Sequence, residues 1–199
     1  MQYPNLAPIL RGISVLILDV DGVLTMGGII YGCENDEYKR FDVKDGLGLV
    51  LLHEMGVRTA IVTGRNSLVV NRRAREMGIE FVLQGFPIKL PAYAKLKDEL
   101  ELVDEAFGFI GDDLIDLDVM HQVGFAAAPA DAHPAVKNEA DYVCRSRSGV
   151  GAVREVVDLI NAFRTGEFGP QNYLPMQLLE RWQDIVWENM TGMSPTKET

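Results

Sequence analysis

The run Ser14-Val15-Leu16-Ile17-Leu18-Asp19 constrains this chain more than any other stretch. It lies between Gly12 and Gly22, is apolar at every internal position and ends on carboxylates. A strand with both faces apolar belongs inside a parallel sheet covered by helices, because an antiparallel strand with one wet face alternates instead. The rest of the chain repeats that theme. Val57 to Val62, Ile79 to Leu83 and Ala106 to Ile110 read as strands, with Phe125 to Ala127 and Tyr142 to Val143 as brief ones. Helical spacing is seen over Leu47–Met55, Asn66–Met77, Ile88–Leu100, Leu114–Gln122 and Val150–Phe163, with Gly56, Gly78 and Gly124 as stops. Strands alternating with helices of this length predict an α/β fold: a parallel sheet with helices on both faces. Gly27-Gly28-Ile29-Ile30-Tyr31 and Glu37-Tyr38-Lys39-Arg40-Phe41 flank a turn-rich segment and predict a β-hairpin inserted after the first strand.

The composition shifts after Thr165. Gly166, Gly169 and Pro170 mark a linker, and Met176 to Met190 then places Leu178, Leu179, Trp182, Ile185 and Val186 on one helical face. We therefore expect a domain over residues 1–165 and a linker with an amphipathic helix over 166–199. Lys and Arg number 19 against 29 Asp and Glu, a net charge of −10. That balance disfavours nucleic acid and anionic membrane surfaces as partners, yet permits a phosphorylated small molecule wherever a local cation reverses the sign. No apolar stretch is long enough for a membrane span, and the first residues lack a basic-then-apolar leader. Cys33 and Cys144 have neither a paired-cysteine nor a zinc spacing, so the expected location is cytoplasmic with both thiols reduced.

In an open parallel sheet ligands bind beyond the carboxyl ends of the strands, and here several of those ends carry reactive groups. The first strand runs into Asp19-Val20-Asp21-Gly22. Residues two apart on an extended chain face the same way, so Asp19 and Asp21 share one space and need a cation or a shared proton. The next ends in Thr63-Gly64-Arg65, and a later one in Gly111-Asp112-Asp113-Leu114-Ile115-Asp116. Between them Gln84-Gly85-Phe86-Pro87-Ile88-Lys89 brings a lysine to the first turn of a helix. Hard oxygen donors from Asp19 and Asp112 suit magnesium. A carboxylate nucleophile, a second carboxyl for proton transfer, a metal ion, a hydroxyl and a lysine form a set for phosphoryl transfer through an aspartyl phosphate.

These segments resemble the motifs of the haloacid dehalogenase superfamily of phosphatases. The order D-x-D-G-V-L-T, F-x-V-K-D-G, T-G-R, Q-G-x-x-x-K, G-D-D-L-I-D and A-D-A-H-P, from about Gly12 to Phe163, is similar to the branch acting on 3-deoxy-D-manno-octulosonate 8-phosphate. The resemblance implies a Rossmann-like sheet without a large cap domain. It implies Asp19 as nucleophile and metal ligand, and Asp21 as general acid/base with its backbone carbonyl on the metal. Asp112 would be the third protein ligand to Mg2+, and Thr63 and Lys89 would hold the transferring phosphoryl group. Asp21, Asp42, Val43, Lys44, Asp45, Gly46, Arg65, Arg73 and Lys89 fall where the family binds its sugar-acid phosphate. A homotetramer paired through the hairpins is implied as well. Val50 stands where many members carry an arginine for the substrate, whereas Arg65 favours the eight-carbon acid over the enzymatic alternatives, a nine-carbon sialic-type 9-phosphate or a broader range of sugar phosphates. A catalytically silent scaffold is the non-enzymatic alternative, and the intact Asp19, Asp21, Thr63, Lys89 and Asp112 set argues against it.

Overall fold

The computed structural model describes residues 6–33 and 36–165. The linker and the helix expected over Met176–Met190 lie outside the described residues. Six parallel strands form the central sheet: β1 (Val15–Leu18), β4 (Arg58–Thr63), β5 (Phe81–Gln84), β6 (Phe107–Ile110), β7 (Phe125–Ala128) and β8 (Tyr142–Val143), in the order β5-β4-β1-β6-β7-β8. A separate antiparallel pair, β2 (Ile30–Tyr31) with β3 (Glu37–Tyr38), is the expected hairpin, reduced to two residues per arm.

The register explains why β1 is apolar throughout. It pairs with β4 on one side and β6 on the other, so it lies in mid-sheet. Leu16 and Leu18 point into a core shared with α1 (Leu6–Gly12), α2 (Val43–Glu54), α3 (Leu68–Glu76) and α7 (Ala152–Thr165). Val15 and Ile17 point into the opposite core, shared with α4 (Leu90–Leu100), α5 (Leu117–Met120) and α6 (Pro134–Glu139). All four residues of β1 are fully buried. The chain leaves β1 to build β4 and β5 on one side, then returns across it to build β6, β7 and β8. That reversal opens a crevice at the carboxyl end of β1, where such sheets bind ligands.

Several boundaries differ from the sequence reading. Helix α2 starts at Val43, not Leu47, because the Asp42 carboxylate accepts from the Lys44 N–H at 2.7 Å and caps a first turn that its polar residues disguise. Lys89 is the residue before α4 and not part of its first turn. The helix expected over Leu114–Gln122 is a 3-10 turn, Leu114–Asp116, followed by the short α5. Helices α1 and α6 were not foreseen. The chain ends of the described domain are stitched together: Arg11 Nε donates to the Phe163 carbonyl at 2.9 Å, and Arg164 Nη1 donates to the Ile13 carbonyl at 2.6 Å. Among the described residues no helix is long and apolar enough to cross a membrane.

Candidate active site

Asp19 follows β1, Thr63 closes β4, Lys89 follows β5 and Asp112 lies just beyond β6, so the topology alone brings four of the predicted residues to one crevice. Asp19, Thr63 and Lys89 are buried. The Lys89 ammonium, fully enclosed, lies 2.9 Å from Asp19 Oδ1 and also bonds Asp116 Oδ1. Burial works against its charge, but the two carboxylates overcome that cost and hold it protonated.

Asp116 uses its other oxygen to accept from the N–H groups of Asp112 (2.9 Å) and Asp113 (3.1 Å). It therefore shapes the loop after β6 and anchors Lys89 with the same carboxylate. Asp113 faces outward and caps the 3-10 turn through the Leu114 N–H at 2.8 Å. The His133 N–H donates to the Asp112 carbonyl at 2.8 Å, fixing that loop from the other side.

Asp19, Asp112 and Asp116 each offer a carboxylate oxygen, and these oxygens all lie within 4.8 Å of one another. Crowding has a clear electrostatic result. Burial, offset in part by Lys89 and reinforced by Asp116, pushes the Asp19 carboxyl up to about 6. Burial together with Asp19 and Asp116 pushes Asp112 up to about 8. Asp112 Oδ1 is buried and accepts no hydrogen bond from the described residues. Asp19 and Asp112 would hold a divalent cation, which would supply the missing partner and relieve the repulsion, so the residues fit a hard metal ion. Space is tight around them: a Cβ on Gly22, where φ is +98°, would lie 2.0 Å from Asp112 Oδ2.

Asp21 stands beside this cluster in a different setting. Its Oδ1 accepts from Lys39 Nζ at 2.5 Å and from the Thr25 hydroxyl at 3.3 Å, and its Oδ2 lies 3.7 Å from Arg65 Nε. Arg65 Nη2 in turn donates to Glu37 Oε1 at 2.9 Å, and the Ser67 hydroxyl donates to Glu37 Oε2. Burial raises the Glu37 carboxyl, but the Ser67 and Arg65 bonds outweigh it and hold it below the usual range. Glu37, Lys39 and Ser67 were missed by sequence reasoning. The available signal was two opposite charges two residues apart on the hairpin arm, which an extended chain aims to one side.

The remaining predicted binding residues gather at the start of α2. Val43 and Lys44 are exposed, and Val50 is buried. Arg73 Nη2 donates to the Asp42 carbonyl at 3.2 Å and packs where a Cβ on Gly46 would meet it at 2.4 Å. The Arg73 guanidinium also lies 5.8 Å from the Phe41 ring centre. Asp45 is enclosed and accepts from the Gly151 N–H at 3.3 Å and the Arg154 N–H at 2.8 Å, capping the start of α7. Arg73 and Asp45 thus carry structural duties at this junction.

Residues 87–157 match the family described as haloacid dehalogenase-like hydrolase. The 3-deoxy-D-manno-octulosonate 8-phosphate phosphatase of Yersinia pestis is 47% identical over 148 residues, which is 74% of this chain and 79% of that protein. Its Escherichia coli counterpart is 45% identical over 150 residues, 75% of this chain and 80% of that one. A crystal structure of the Yersinia pestis enzyme aligns with a TM-score of 0.80 at 41% identity, covering 83% of this chain and 91% of that chain. The Moraxella catarrhalis enzyme, solved in complex with a magnesium ion, a phosphate ion and a KDO molecule, aligns with a TM-score of 0.77 at 39% identity, covering 81% and 95%. Fold and site together define a haloacid dehalogenase-like hydrolase. Within that class the chain belongs to the family of 3-deoxy-D-manno-octulosonate 8-phosphate phosphatases.

Proposed function

We propose that this chain hydrolyses 3-deoxy-D-manno-octulosonate 8-phosphate to the free sugar acid and inorganic phosphate, a step in supplying the lipopolysaccharide precursor. The observation that carries the reading is the cluster of buried Asp19, Lys89 and Asp116 with half-buried Asp112 at the crevice, where Asp112 Oδ1 has no hydrogen-bond partner among the described residues. Asp19 attacks phosphorus, the bond from phosphorus to the C8 oxygen breaks, and Asp21 delivers a proton to the departing oxygen. Asp21 then takes a proton from water, the hydroxide displaces Asp19 from phosphorus, and phosphate leaves. Thr63 and Lys89 hold the phosphoryl oxygens. The Asp19 and Asp112 side chains, with the Asp21 carbonyl, would hold a magnesium ion, which when bound neutralises charge on the phosphoryl group. Arg65, with Val43 and Lys44 exposed at the start of α2, is assigned to the sugar-acid end, while Asp45 and Arg73 hold that segment in place.

We read residues 1–165 as the phosphatase domain and the whole as a cytoplasmic homotetramer. The exposed Ile29, Ile30, Tyr31 and Tyr38 of the hairpin support the assembly, and the free Cys33 and Cys144 suit a reducing compartment. The test is a kcat/KM panel of sugar-acid phosphates with and without magnesium. The eight-carbon 8-phosphate is expected to lead, chelation to silence it, and Asp19→Asn to abolish turnover. Leadership by a nine-carbon 9-phosphate, or full activity in excess chelator, overturns the reading.

A further inference from the structure

We infer that Lys39, carried into the crevice by the hairpin, is a positioning residue that aims the Asp21 carboxyl at the leaving oxygen. The inference rests on the proposed reaction. A lysine side chain only 1% exposed is costly unless it is paired. Among the described residues Lys39 has two acidic neighbours: Asp21 Oδ1 at 2.5 Å and Glu37 Oε1 at 3.6 Å. Glu37 is fixed in turn by Arg65 Nη2 and the Ser67 hydroxyl, and Arg65 Nε returns to Asp21 Oδ2 at 3.7 Å. The four side chains close a ring of alternating charge: Asp21, Lys39, Glu37, Arg65. Two members come from the hairpin and two from the carboxyl ends of β1 and β4.

The ring has a direction. Lys39 and the Thr25 hydroxyl both occupy Asp21 Oδ1. Among the described residues Oδ2 has only the more distant Arg65 Nε, so it is the oxygen left to carry the proton. During formation of the aspartyl phosphate that proton passes from Oδ2 to the leaving oxygen as its bond to phosphorus breaks. Without Lys39 the carboxyl can turn about its bonds, and the free oxygen is no longer aimed. The hairpin thereby becomes part of the reaction machinery and not only an assembly element.

The test uses two generic esters of similar size that lack a carboxylate. p-Nitrophenyl phosphate releases an anion that needs no proton, whereas p-nitrobenzyl phosphate releases an alkoxide that does. Their kcat/KM values report formation of the aspartyl phosphate alone. Wild-type turnover of both esters, together with the sugar-acid panel, tests the reaction itself, and the variant ratios test Lys39. Lys39→Met is expected to lower kcat/KM for the benzyl ester by about tenfold to a hundredfold, a share of the effect of a positioned general acid. The phenyl ester should change by less than about threefold on the same principle, and Lys39→Arg should recover most of the benzyl rate. If Lys39→Met does not fold, Lys39→Gln takes its place in the same comparison. Equal loss on both esters, no loss on either, or a loss confined to the sugar-acid phosphate each overturns the inference.

Discussion

Asp45 illustrates how one side chain in the family's substrate segment is spent on architecture. Its carboxylate closes the start of α7 through two backbone N–H groups, yet burial still outweighs those bonds and pushes it up to about 6 from an ordinary 3.8. Between those values the folded chain holds a proton that the unfolded chain has released, so this group makes the fold less stable as pH rises through the window. Asp45→Asn cannot ionise. Its stability relative to wild type is expected to improve by roughly 3 kcal/mol between about pH 4 and pH 6, on top of any fixed cost of replacing one acceptor oxygen by an amide. Urea unfolding at saturating magnesium measures it, and a difference that is flat with pH contradicts the assignment. Lys89 is the opposite case: its charge is enclosed, but Asp19 and Asp116 favour the protonated form.

Among the elements, the loops after β1 and β6 meet with no spare volume, and Gly22 is the point of contact. A methyl group there collides with Asp112 Oδ2, and the backbone sits at a φ that side chains rarely adopt. Gly22→Ala should therefore raise the magnesium concentration for half-maximal activity by about tenfold or more, the usual cost of disturbing a ligand's support. A magnesium titration with an unchanged midpoint would contradict that geometry. The strand ends were legible in the sequence because an apolar run that stops on Asp19, Thr63 or Asp112 marks both the strand and the group it presents. The supports were not. Asp116 reads as one more helix-start acid, and only the fold reveals that it turns inward to Lys89 and two N–H groups. Lys39 and Glu37 lie far in sequence from Asp21 and Arg65, and no periodicity announces a pairing made across a hairpin. Helix α6 is six residues long and begins at Pro134 after a His133 cap, too short for a helical stripe to stand out.

For the whole molecule, the hairpin presents a problem that the proposed tetramer would answer. Two-residue strands seldom hold alone, and Tyr31 and Tyr38 are more than half exposed. Light scattering at micromolar concentration is expected to give a mass four times that of the chain, and a monomer would contradict it. The stitched ends of the domain bear on how the chain is made. Arg11 and Phe163 are 152 residues apart, and Asp45 reaches its α7 partner across 109. The first strand of the described domain is also an inner one, bordered by two that come later. A nascent chain leaving the ribosome therefore carries apolar faces of β1, α1 and α2 that stay uncovered until α7 has emerged. Contacts of such span form slowly because loop closure must precede them. The interval before residue 165 clears the exit tunnel is when this protein most needs shelter by chaperones, long before its site has any substrate to meet.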